Sequence, residues 1–347
     1  MQHCLDAINT LQKTPLTINA TVLDCIDWVV ATKHYKQLGD FPELDRPDDL
    51  AEIPNEIWSE YDKSQKAQWY RERVRVQQEQ QEVEANDLNL KNHCKQAREL
   101  LAFADEGLDK FWLPHQFDFR GRVYCTPDFN FQKNDYIRAL FMFYNKTAIT
   151  PENDEFLYLQ IANTWGNRID KTSYDERLAW VENNIENIIK TGADFRTSFD
   201  FWKKADDPFQ FVAACRENYL YNEARVAGEV YYSGLPVALD ATNSGYQHYA
   251  AASLNEHDGY WVNLVDPDEG PIQPRDLYIV CRDAALALLP KDIERIEHEL
   301  ATGVGIRKNA QGEQEEMTLD EEELEKLQRR KATAKIILGL KHDDGED

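Results

Sequence analysis

Asp240 is the residue of this sequence best placed to do chemistry. It closes the run LPVALD, in which four of the five preceding residues are apolar, and the small residues Ala241, Thr242, Asn243, Ser244 and Gly245 follow it. A run of that composition, Leu235 to Leu239, predicts a strand buried on both faces. Asp240 then stands at the strand's carboxyl end, where loops open and ligands tend to bind. The small residues let backbone or substrate approach closely. Gln247 and His248 begin a helix whose first N–H groups can face an anion. One carboxylate beside phosphate-receptive backbone suits a divalent cation that bridges protein and triphosphate. The same residues also suit a strand-end aspartate that merely caps the next helix, and spacing leaves both readings open.

A second block, FDFRGRVY (Phe117 to Tyr124), sets Arg120 and Arg122 on either side of Gly121, with Phe117, Phe119 and Tyr124 interleaved. The glycine permits a tight backbone, so both guanidinium groups can reach one phosphate chain while the rings stack on bases or sugars. An edge strand carrying two surface salt bridges has the same composition.

The elements that must position these blocks are mostly helical. Between Asp6 and Lys36, Val22, Ile26, Val29 and Val30 recur at the spacing of one helix face. Leu38 to Pro54 is rich in Pro, Asp and Gly and predicts a loop. From Asn55 to Asp105 there is no Pro or Gly, and helix formers dominate. This predicts two helices, the second long. The stretch from Phe111 to Phe131 is aromatic, turn-rich and strand-like. Helices are expected again over Asn153 to Trp165, Tyr174 to Thr191, the aromatic-rich segment Phe201 to Val226, the residues after Gly245, and Pro274 to Leu289. The expected class is α+β, predominantly helical.

The net charge of −24 argues against a nucleic-acid partner if taken as a total. The local field decides, however. The segment Gln311 to Glu325 concentrates carboxylates without a base, whereas Phe117 to Tyr124 and RERVRV (Arg71 to Val76) concentrate arginine. The six cysteines are scattered singly, which gives no zinc site and no disulfide framework and fits reduced thiols in a cytoplasmic protein. No apolar run reaches membrane-spanning length, and the N-terminal residues do not read as a targeting segment.

Together the blocks resemble the single-subunit DNA-dependent RNA polymerases of bacteriophages and mitochondria. FDFRGRVYCTPDFNFQKND resembles their Asp-x-x-Gly-Arg region with its downstream Asn-x-Gln-x-Asn-Asp element. LPVALDATNSGYQHYAA resembles their motif A. DDPFQFVAACRE and RDLYIVCRDA resemble the segments before and after it. The resemblance implies a partial right-hand polymerase fold: the end of an N-terminal region over 1–20, a helical thumb over 21–108, a palm over 109–266, and the start of the fingers with an acidic tail over 267–347. It implies template-directed nucleotidyl transfer with two Mg2+ ions in the complete enzyme, held in part by the Asp240 carboxylate and the Ala241 carbonyl. Arg120, Gly121 and Arg122 would hold template and RNA–DNA hybrid, with Phe119 beside them and Asp118 bracing the loop. Ser244, Gly245, Gln247 and His248 would shape the floor near the primer end, and Tyr278 would face the nucleotide. The implied partners are DNA template, RNA product, nucleoside triphosphates and a C-terminal polymerase portion on another chain, in the cytoplasm of a phage-infected host and with no membrane.

Three parts of the family pattern are expected to be absent, the first being the N-terminal promoter-recognition domain, for which too few residues precede the thumb. No Arg-x-x-x-Lys element followed by Tyr-Gly is present. The His-Asp of KHDDGED, at Asp343, lies too near motif A to be the second metal-binding aspartate. The expectation is therefore a polymerase portion inactive alone. A non-catalytic nucleic-acid-binding remnant and a DNA polymerase of related palm are the alternatives.

Overall fold

The computed structural model describes residues 2–105, 107–238, 241–265, 275, 277–308 and 314–337. Its chain divides into two compact units, Met1–Leu239 and Asp240–Asp347. The class is the expected one, predominantly helical with small antiparallel sheets.

The first unit begins with α1 (Gln2–Gln12), β1 (Leu16–Ile18) and α2 (Ala20–Ala31). Asn19 caps α2, its side chain accepting from the Val22 amide at 3.2 Å. Val22, Ile26 and Val29 are fully buried on one face, as their spacing requires. The loop Leu38 to Pro54 follows, then α3 (Asn55–Glu60) and the 43-residue α4 (Lys63–Asp105). At 1.5 Å per residue α4 runs roughly 65 Å. Its later turns enter the core through Leu90, Cys94 and Ala97. His93 on α4 meets Asp128 at 2.8 Å, and Gln80 anchors the loop through the Pro47 carbonyl at 3.0 Å.

Next come the hairpin β2 (His115–Phe117) and β3 (Val123–Cys125), α5 (Asp135–Arg138), β4 (Phe141–Phe143) and β5 (Thr147–Ile149). β4 pairs antiparallel with β1, Leu16 opposite Phe143. The helical core comprises α6 (Glu155–Trp165), α7 (Tyr174–Asn183), α8 (Ile185–Ala193), α9 (Phe199–Trp202) and α10 (Pro208–Ala227). The single helix expected over Phe201 to Val226 is thus two. The chain breaks before Pro208, which takes the first turn of α10, where its missing N–H costs nothing. β6 (Tyr231–Ser233) then pairs with β5.

α8 and α10 approach closely because Gly192 is a glycine. A Cβ there would press on the Cys215 carbonyl oxygen and lie 2.7 Å from Tyr219 Cβ. Backbone cannot yield as a flexible side chain does. Gly192→Ala is expected to cost about 2–3 kcal/mol despite the better helix propensity of alanine, read as a lowered urea midpoint with unchanged slope.

Of the buried strand expected over Leu235 to Leu239, the described residues 235–238 form none, and Leu239 lies outside the described residues. Residues 235–238 pair with no strand, and Val237 is 39% exposed. A strand needs a neighbour to take its backbone groups. Among the described residues only scattered bonds do so, such as Ala238 N–H to Gln160 Oε1 at 3.3 Å.

The second unit contains α11 (Ser244–Ser253), α12 (Glu256–Trp261), α13 (Leu277–Thr302), the hairpin β7 (Val304–Lys308) and β8 (Gln314–Thr318), and α14 (Glu321–Ile337). α13 was expected to stop at Leu289. It runs past Pro290 because Ile293 and Ile296 are buried and Asp292 pairs with Arg330 of α14. The acidic block builds β8 and opens α14, where Asp320 accepts from the Glu323 amide at 2.8 Å. Among the described residues no helix is long and apolar enough to cross a membrane.

Candidate nucleic-acid interface

In the first unit, the turn from Asp118 to Arg122 is held from within. The Asp118 amide donates to the Arg122 carbonyl at 2.9 Å, and Gly121 N–H to the Asp118 carbonyl at 3.0 Å. Asp118 Oδ1 accepts from the Arg120 and Arg122 amides, both at 2.9 Å. Gly121 has φ +78°, which a side-chain-bearing residue rarely adopts. Desolvation works against the charge on Asp118, but the bonds from Arg122 and Arg120 win and hold its carboxyl below the ordinary range.

The two arginines are presented differently. Arg120 is engaged: its Nε donates to Asp118 Oδ2 at 2.9 Å and its Nη2 to Tyr124 at 3.3 Å. Arg122 is exposed, and its guanidinium makes no hydrogen bond or ion pair among the described residues. Phe119 at the turn's apex is 96% exposed. The Arg120 guanidinium lies over the Phe119 ring at 5.4 Å, so the braced turn presents an exposed Arg122 and an exposed ring with one face towards Arg120.

The downstream Asn-x-Gln-x-Asn-Asp element supports the hairpin from behind. Gln132 accepts from the Cys125 amide at 2.7 Å and donates to the Val123 carbonyl at 3.1 Å. Asn130 fixes Gln132 by accepting its amide at 2.8 Å. Asp135 is buried and accepts from the amides of Phe209 (2.7 Å) and Gln210 (3.1 Å) and from the Gln210 side chain (3.1 Å). Phe131 and Arg138 share a mostly apolar cavity of about 280 Å³ with Leu235, Pro236, Ala238 and Gln160. The flank of the arginine block and the lead-in to motif A thus meet in one unit.

In the second unit, Asn243 caps α11 through the Tyr246 amide at 3.1 Å. Ser244, Gly245 and His248 are exposed, whereas Gln247 donates to the Val262 carbonyl at 2.7 Å. Asn243 Nδ2 reaches the Tyr278 hydroxyl at 3.5 Å, which brings Tyr278 beside the motif A turn. Asn263 gave no sequence signal. It holds φ +61°, donates to Thr242 Oγ1 at 2.6 Å and to the Arg275 carbonyl at 2.8 Å, and accepts the Arg275 amide at 2.8 Å. Such a contact joins positions too far apart for any local pattern to reveal. Asp240 lies outside the described residues and Ala241 is exposed. Asp343 likewise lies outside them. Among the described residues no three His, Cys, Asp or Glu side chains converge as a metal-binding group.

The sequence profile of the DNA-dependent RNA polymerase family matches residues 147–335. The chain is 30% identical over 295 residues to the mitochondrial DNA-directed RNA polymerase of Neurospora crassa, covering 85% of this chain and 19% of that one. It is 30% identical over 303 residues to T7 RNA polymerase of Escherichia phage T7, covering 87% and 32%. It is 29% identical over 283 residues to the DNA-directed RNA polymerase of Enterobacteria phage K11, covering 82% and 29%. The chain belongs to the single-subunit DNA-dependent RNA polymerase family. It spans less than a third of the length of these relatives.

Proposed function

We propose that this chain supplies the thumb, the first part of the palm and the start of the fingers of a DNA-directed RNA polymerase, and that it elongates RNA only with a C-terminal polymerase portion. The observation that carries this reading is the Asp118-braced turn, which presents an exposed Arg122 without a hydrogen bond to its guanidinium among the described residues, beside an exposed Phe119 that Arg120 backs at 5.4 Å. In this reading Arg120 stiffens the turn, Arg122 binds a backbone phosphate of the RNA–DNA hybrid, and Phe119 packs beside it. Ser244, Gly245, Gln247 and His248 lie under the primer end, and Tyr278 faces the incoming nucleoside triphosphate. The site belongs to the cytoplasm of a phage-infected host.

Asp240 and the Ala241 carbonyl are oxygen donors, which fits Mg2+ by type. They would hold the ion in part, and the other donors would come from the triphosphate, water and another polymerase portion. Mg2+ bound there neutralises phosphate charge. The residues of this chain orient template, primer and nucleotide around it.

Arg122→Ala is expected to weaken binding of an RNA–DNA hybrid and to reduce the slope of log affinity against log salt by about one phosphate contact. Fluorescence anisotropy over a salt series measures both. An unchanged slope would remove Arg122 from the interface.

A further inference from the structure

The first turns of α4 carry a cluster that the proposed reading does not use. Trp58 of α3 meets Tyr61, Trp69 and Tyr70 at ring-centroid distances of 5.8, 5.2 and 5.7 Å. Lys66 lies over the Trp58 ring at 5.6 Å and Arg73 over Trp69 at 5.4 Å. Tyr70 is 54% exposed.

Part of this is ordinary packing. The six-residue α3 has no buried residue, so the rings are what pins it to α4. That explains the rings but not the charges. Lys63 to Arg75 holds five bases and one acid in a chain of net charge −24. Arg75 is matched by Glu72 and Glu79. Lys63, Lys66, Arg71 and Arg73 make no ion pair among the described residues. Further along the same helix the cations are paired one turn away, Lys91 with Asp87 and Lys95 with Glu99. A helix able to pair its cations leaves four without an ion pair among the described residues, two of them over aromatic rings, beside the exposed Tyr70. A surface whose only task was to be soluble has no need of that combination.

We propose that this end of α4 is a stacking site for single-stranded nucleic acid. The exposed Tyr70 offers its ring to an unpaired base, and the four cations take successive phosphates. Stacking on a ring tolerates any base, and the cations add counterion release. A duplex hides its base faces and gains only the second term. The inference rests on the proposed reading only in taking nucleic acid as the chain's ligand.

The test titrates the whole chain into labelled poly-dT and poly-U oligonucleotides, and into an RNA–DNA hybrid, over a range of salt. Tyr70→Ser is expected to lower oligonucleotide affinity about tenfold, one stacked base, with hybrid affinity unchanged. The pair Lys66→Gln and Arg73→Gln is expected to reduce the salt slope on oligonucleotides by about 1.4. Urea midpoints confirm that the variants fold. A loss on both oligonucleotides, or on one, supports the site and assigns the strand. Oligonucleotide affinity unchanged in both variants overturns it, even where Arg122→Ala weakens the hybrid. The converse, a dependent oligonucleotide site beside a hybrid affinity indifferent to Arg122, leaves this inference standing and sinks the arginine-turn reading.

Discussion

Asp240→Ala is expected to cut RNA extension at least about a thousandfold, the scale of losing several kcal/mol of transition-state charge stabilisation. The measurement mixes this chain with a C-terminal polypeptide of a related polymerase, magnesium, a primed template and nucleotides. The chain alone is expected to make no RNA. Two-metal phosphoryl transfer holds its ions about 3.5–4 Å apart between shared carboxylates, of which Asp240 would be one in the proposed reading. Removing that one releases both positions together, which is why the loss is expected to be large. Extension by the chain alone would mean that a second carboxylate is already present, with Asp343 and Asp344 the first suspects. Equal extension by the mixture with Asp240→Ala would mean that the wrong aspartate has been chosen.

What could be read from the sequence follows physical range. Val22, Ile26 and Val29 sit one turn apart, and that spacing alone placed them in the core. The absence of Pro and Gly over fifty residues gave α4. Gly121 between two arginines gave the tight turn, and the structure adds what locks it, Asp118 accepting two amides. The failures are places where a distant partner decides. An apolar run predicts a strand at 235–239, but a ladder needs a neighbour. Pro290 predicts a stop, yet packing against α14 carries α13 to Thr302. Asp135 stood in the sequence as the last letter of a motif. Its work is to cap a helix that begins more than seventy residues away.

That cap gives a pH dependence of definite sign. Burial pushes the Asp135 carboxyl up to about 7 from an ordinary 3.8, against the bonds donated by Phe209 and Gln210 and helped by the Asp207 carboxylate. The folded chain therefore keeps a proton that the unfolded chain gives up between pH 4 and 7. The contribution is complete below the unfolded value and is lost as pH rises through the folded one. Unfolding free energy should accordingly fall as pH rises across that window, by at most about 4 kcal/mol from this group. Asp207 and Glu217, also raised by burial, add in the same direction. Asp135→Ala leaves the Phe209 and Gln210 amides buried without an acceptor, at about 1–3 kcal/mol each. Asp135→Asn keeps one acceptor oxygen and cannot ionise. Its stability deficit against the native chain should be largest near pH 5 and narrow towards pH 8. Urea unfolding of the three chains across pH 5 to 8 measures this. A native chain that grows more stable with rising pH would mean that the amides of α10 hold Asp135 ionised and that burial does not win.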